Sequence, residues 1–220
     1  RREVALVDLP PIGDGPLALA PDRDIWITDD GTRLPAALAA ALDARGVSAR
    51  IVKLEEVGIL RRASDARKDS PMTVGPGAGI IMLAPPVTAR SETGREESDV
   101  FLKHALGLVQ RVAGDLHSAA KCGGAVLMTV SRMDGGFGLR GGEFDAVQGG
   151  LAGLAKTAAR EWPDVRCRAL DVSPAWHEDA SIAAAIVREL SVEAPIEVGL
   201  DANRRRGLEI MSGRDVDANA

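Results

Sequence analysis

Residues Asp24 to Leu54 read DIWITDDGTRLPAALAAALDARGVSARIVKL, and this stretch decides the fold. Asp24 to Thr28 is a short apolar run of the kind that forms a buried strand. Asp29, Asp30, Gly31 and Thr32 turn the chain. Leu34, Leu38, Ala41 and Leu42 then recur at helical spacing, and Gly46 stands where a helix ends on a left-handed residue. Ala49 to Leu54 is the second strand. Together they form one βαβ unit, and two parallel strands need such a crossover.

The pattern repeats outward. Before the unit, Glu3 to Leu9 (EVALVDL) reads as a short strand stopped by Pro10 and Pro11. After it, 61–77 has little periodicity and is expected to be a surface loop. Gly79 to Ala84 is a strand, and a long helix capped by Ser98 is expected to present Leu102, Ala105, Leu106, Val109, Val112 and Leu116. Gly123 and Gly124 close it, and Ala125 to Val130 is another apolar strand. A helix over Asp145 to Trp162 carries Val147, Leu151, Leu154, Ala158 and Trp162 on one face, and Pro163 stops it. Cys167 to Val172, a helix over Asp179 to Leu190 and a strand over Ile196 to Leu200 follow, with Gly207 to Met211 as an expected edge. The alternation specifies an α/β fold with a doubly wound, mostly parallel sheet.

Composition sets the class. With 45% apolar and 27% charged residues, the 220-residue chain is globular. A net charge of −5 speaks against nucleic acid, which needs a clustered basic surface. The one dense basic run, Arg204 to Arg206, reads as a solvated turn. No apolar run approaches the roughly 20 residues needed to cross a bilayer. No leader is visible, so a cytoplasmic location is expected, and the missing initial Met suggests a piece of a longer polypeptide. Two distant cysteines, Cys122 and Cys167, read as reduced, buried and inert thiols.

Chemistry is sparse in this sequence. A dinucleotide turn needs three glycines, and the turn after Thr28 holds only Gly31, beside two aspartates that repel a pyrophosphate. Gly135, Gly136, Gly138, Gly141 and Gly142 precede a helix but lack a GK[ST] ending, and read as a flexible connector. His104, His117 and His177 form no ligand set for a metal. Ser131 is the one serine at a strand end where a catalytic group could sit. The sequence contains no tyrosine.

Leu127 to Arg132 (LMTVSR), Asp145 to Glu161 (DAVQGGLAGLAKTAARE), Trp162-Pro163 and Val165 to Val172 (VRCRALDV) carry a resemblance. With Trp26 to Leu42 and Ile196 to Ile210, they make the chain similar to the non-catalytic structural subdomain of ketoreductases. Such subdomains belong to polyketide and polyunsaturated fatty acid synthases, and their helix has the form GL-x-[RK]-x-x-x-x-E-x-P. Gly153, Leu154, Lys156, Glu161 and Pro163 fill it, and Asp171 closes the next strand.

The resemblance implies a truncated short-chain dehydrogenase/reductase fold of pseudo-Rossmann type, spanning 1–212, with 213–220 as a linker. It implies no catalytic, cofactor-binding or metal-binding residue in this chain. NADPH and the β-ketoacyl chemistry are expected in a catalytic subdomain of the same polypeptide, which this one braces. The parent family's serine could be Ser131, but Phe137 and Phe144 stand where a proton-donating tyrosine is needed. Lys156 falls at the Arg/Lys position of the structural motif. Ala146, Gly149, Gly150, Gly153 and Thr157 form a smooth face. That face either docks against the catalytic half or another copy, giving a homodimer, or seats the helix on its own sheet. Two other functions stay open: an active oxidoreductase with Asp145 or His177 as proton donor, and a domain binding a small ligand at the strand ends.

Overall fold

The computed structural model describes residues 2–57, 77–86 and 92–212. The strands are β1 (Arg2–Asp8), β2 (Ile25–Thr28), β3 (Ala49–Val52), β4 (Gly79–Leu83), β5 (Val126–Ser131), β6 (Arg166–Val172), β7 (Glu197–Leu200) and β8 (Arg205–Ser212). The helices are α1 (Leu34–Asp43), α2 (Leu54–Val57), α3 (Glu92–Ala120), α4 (Gly149–Glu161) and α5 (Asp179–Glu189), with a 3-10 turn, Ala146–Gln148, leading into α4. The surface loop expected over 61–77 lies outside the described residues, Gly77 excepted, as does 213–220.

Among the described residues there is one sheet, of order β1-β8-β7-β6-β5-β4-β2-β3. The strands from β3 through β7 are parallel, and β8 and β1 add to them antiparallel. The chain reverses direction across the sheet between β2 and β4, the switch point of a doubly wound fold. Alternate residues of each strand face opposite layers, as the pleat requires. Ile25, Ile27, Ile81, Leu83, Met128 and Leu170 pack against α1 and α5 through Leu34, Leu38, Leu42, Ile182 and Ile186. Trp26, Ile80, Met82 and Leu127 pack against α3 and α4 through Ala105, Val109, Val112, Leu116 and Leu151. Burial of each large side chain stabilises the fold by about 1.5–3 kcal/mol.

Four expectations need correction. Gly207–Met211 is not an edge: β8 lies between β7 and β1, and β1 is the outermost strand on that side. Arg205 and Arg206 belong to β8 and keep only about 10% of their side chains exposed, so of the basic run only Arg204, 62% exposed and ahead of the strand, sits in a solvated turn. Ser98 lies inside α3 and does not cap it. On α3, Leu108 is buried and Leu106 is 42% exposed. α3 meets α2, the 3-10 turn and α4 as well as the sheet, and its buried stripe follows these neighbours. Gly46 does end α1, at φ +72°, and a Val47 N–H to Leu42 carbonyl bond closes the turn.

Candidate functional site

In an open α/β sheet ligands bind at the carboxyl ends of the strands, so the site is built from those ends. After β2, Gly31 takes φ +77°, which a side chain would strain. The Gly31 N–H donates to Asp29 Oδ1 at 2.9 Å, and the Thr32 N–H donates to Asp30 Oδ1 at 2.9 Å. The Thr32 hydroxyl also donates to Asp30 Oδ1 and accepts the Leu34 N–H at 3.1 Å. Pro35 brings no N–H. Three amides at the α1 N-terminus that could help cradle a phosphate, those of Gly31, Thr32 and Leu34, are therefore taken by the protein's own side chains. Asp30 is 7% exposed, and its Oδ2 has no partner among the described residues. A carboxylate stands where a pyrophosphate would sit. This turn does not fit a dinucleotide.

The ends of β4, β5 and β6 are closed in a similar way. The Gln148 side chain, 3% exposed, accepts the Arg132 N–H at 2.8 Å and donates to the Pro85 carbonyl at 3.1 Å, fastening the β4 and β5 ends together. Ser131 is 2% exposed, and its hydroxyl donates to Asp171 Oδ1 at 2.9 Å. Asp171, fully buried, also accepts the N–H groups of Met133 (2.8 Å), Asp134 (3.2 Å), Gly136 (2.9 Å) and Phe137 (2.8 Å). Asp134 accepts the N–H groups of Gly136, Gly138 and Arg140 within 2.9 Å. The Gly-rich loop is thus no flexible connector. Two carboxylates hold it over the strand ends, even with Phe137 at φ +56°. Asp171 was legible in the sequence only as the residue closing a strand. Only the β5–β6 register, which sets Ser131 opposite Asp171, reveals its second role.

The remaining sequence candidates do not converge on Ser131. Lys156 is exposed on α4 and pairs with Glu197 on β7 at 2.8 Å. Asp145 Oδ1 accepts the Val147 N–H and Oδ2 accepts the Ser98 hydroxyl, so both oxygens serve the helix entry. His177 is exposed. His117 Nδ1 meets Asp164 at 2.8 Å, with Trp162 edge-on to its ring. That hydrogen bond is the main reason the Asp164 carboxyl lies below its ordinary value. Among the described residues no His, Cys, Asp and Glu cluster could hold a metal, and no helix is long and apolar enough to cross a membrane.

Two features escaped sequence reasoning. One is a buried triad: Glu189, 1% exposed, receives Arg205 through two nitrogens and Arg168 at 3.4 Å. Burial pushes the Arg168 guanidinium below its ordinary value, and Glu189 works against that shift. The signal was a charged residue inside the apolar strand CRALDV. The other is a groove of about 790 Å³ beside the end of β7, lined by Leu9, Ile12, Trp176, Ala184, Arg188 and Asn203 among others. Its cations are paired: Arg188 with Asp14, Arg204 with Asp8, and Arg205 with Glu189.

On α4 the residues facing the protein interior are Leu151, Ala152, Ala155 and Ala158. Ala146, Gly150, Gly153 and Thr157 are exposed. The small-residue face does not seat α4 on its sheet. Gly150 instead leaves room for Leu102 of α3, and a Cβ on Gly153 would meet open space.

No family model matches the chain, and no curated protein matches it. Solved structures do. The multidomain structure of a keto acid-selecting NRPS module, with adenylation, ketoreductase and pseudo-Asub parts, superposes with a TM-score of 0.66 at 14% identity, over 95% of this chain and 18% of that one. The A-type ketoreductases from a modular polyketide synthase give 0.55 at 18% identity, over 96% of this chain and 42% of theirs. A metagenomic short-chain oxidoreductase in complex with NADP gives 0.53 at 15% identity, over 81% of this chain and 98% of that one. At these identities the likeness establishes the fold alone, a Rossmann-like layered sheet that those structures share. The chain spans about two fifths of the polyketide ketoreductase chain.

Proposed function

We propose that residues 1–212 form a non-catalytic structural subdomain that braces the catalytic half of a β-ketoacyl reductase in a multidomain synthase. Residues 213–220 then lead toward that half, which binds NADPH and carries out the reduction. The single observation that carries this reading is the closure of the strand ends. Asp29, Asp30 and Thr32 take the amides a cofactor phosphate needs, and Asp171 takes the Ser131 hydroxyl. The sequence offers no phenol to donate a proton. The chain matches nearly half of a ketoreductase rather than a whole one, which fits a brace. The exposed face formed by Ala146 in the 3-10 turn and by Gly153 and Thr157 on α4 is the surface we assign to docking against the catalytic half.

Calorimetric titration with NADPH tests the proposal. We expect no saturable binding. A Kd tighter than roughly 100 μM, about −5.5 kcal/mol, would overturn it. Adding the catalytic half of a polyketide ketoreductase as a separate chain gives the positive arm: complex formation is expected, and Gly153→Leu should weaken it without lowering the melting temperature.

A second reading, a domain binding a small ligand, rests on the groove beside Trp176 and α5. Thermal-shift screening against small metabolites, with Ala184→Trp filling the groove, distinguishes it.

A further inference from the structure

We propose that β1 pairs with β1 of a second copy of this chain, joining the two sheets antiparallel about a two-fold axis at Ala5. Among the described residues β1 is the outermost strand of the sheet, and Pro10 and Pro11 follow it. Its inner residues, Val4-Ala5-Leu6-Val7, contain none of the prolines, lysines or bulges that normally guard an edge. One face of the ribbon is apolar and open: Val4 is 53% exposed and its cross-strand partner Ile210 is 70% exposed.

The outward backbone is set by the ladder with β8. Leu9 donates its N–H to the Arg205 carbonyl, so Leu9, Val7, Ala5 and Glu3 turn their backbone groups toward β8. Arg2, Val4, Leu6 and Asp8 therefore present N–H and C=O at the free edge. The sequence is self-complementary about Ala5. A two-fold there sets Val4 opposite Leu6 of the second copy, and Arg2 opposite its Asp8. The outward groups then fall into hydrogen-bonded pairs, Val4 meets Leu6, and at both ends Arg2 joins the Arg204 and Arg206 side chains already beside Asp8. Ile210, Leu208, Val4 and Leu6 continue across the axis as one apolar strip. A slip by two residues would break the charge match, so the ends fix the register. A single strand pair buries little surface, which sets the affinity in the micromolar range.

Sedimentation velocity on the 220-residue chain, from about 1 to 200 μM, should show a monomer–dimer equilibrium. Val4→Pro removes only an outward N–H, and Val4→Lys places a charge opposite Leu6. Each should leave the melting curve at about 1 μM unchanged and yield monomer at 200 μM. Arg2→Asp sets like charges opposite and should weaken dimerisation about tenfold. At the axis the two Ala5 Cα atoms would lie about 4.5 Å apart, within disulfide range. Ala5→Cys in a Cys122→Ser background should therefore cross-link on oxidation. A wild-type chain that stays monomeric at 200 μM overturns the proposal, as does a Val4→Pro dimer or a folded Ala5→Cys chain that does not cross-link. A monomer whose β1 becomes protected only on adding a catalytic ketoreductase half reassigns the edge to that partner and also overturns it.

Discussion

Ser131 and Asp171 stand opposite each other on neighbouring parallel strands, and the Ser131 hydroxyl donates to the Asp171 carboxylate at 2.9 Å. A serine at this strand end could have pointed to chemistry. Here its proton is committed to a carboxylate that also gathers four backbone amides from the following loop. The strand end is a structural knot.

Removing that knot should be costly. Asp171→Ala leaves the amides of Met133, Asp134 and Phe137 without their acceptor, while Gly136 keeps Asp134 and Ser131 keeps the Leu170 carbonyl. Each buried unsatisfied group costs about 1–3 kcal/mol, so allowing for relaxation we expect a loss of about 3 kcal/mol or more. Ser131→Ala removes one neutral donor and should cost about 1 kcal/mol. Urea denaturation of both variants checks the ordering; equal effects would show that Asp171 does not hold the loop.

The triad around Glu189 gives a second contrast. Glu189→Ala strands the 3%-exposed Arg168 side chain as an unpaired buried charge, and such breakage costs about 3–5 kcal/mol. Replacing all three members, as Arg168→Met/Glu189→Leu/Arg205→Met, removes the charges together and should cost far less. Thermal melts of the two variants decide this.

The two cysteines should differ in reactivity. Burial, with a smaller contribution from the Asp164 charge, raises the Cys167 thiol to about 12, and the residue is 7% exposed. Cys122 is exposed. Iodoacetamide near pH 8 should add one adduct per chain by intact mass, on Cys122, and a second only after unfolding.

Asp201 sets an acid limit. Burial acts to raise its carboxyl, but the Arg206 hydrogen bond, the Asn203 and Arg204 amides and the Arg206 charge together hold it below 3.8. Its folded value lies below its unfolded one, so its contribution is fully present above about pH 4 and is lost as pH falls through the folded value. The wild-type chain should melt higher than Asp201→Asn at pH 7, and the gap should narrow progressively as pH falls below about 4. A gap independent of pH would mean that the carboxylate charge is not what matters.

The sequence by itself determined the layered fold. Hydrophobic runs of strand length alternating with helical spacing, punctuated by Gly46 and Pro163, encode local structure through local sterics, and β2, α1, β3, β4, β5, α4, β6 and α5 follow it. The single glycine and paired aspartates after Thr28 were equally visible. Tertiary structure alone decided the rest, because it depends on pairing between distant segments. The register of β1 against β8 moved the expected edge inward and drew Arg205 and Arg206 out of solvent. The fold of the Gly-rich loop over Asp171 turned an expected connector into a fastened lid on the strand ends. A carboxylate accepts from whichever donors the fold brings near, and no local pattern names those donors in advance.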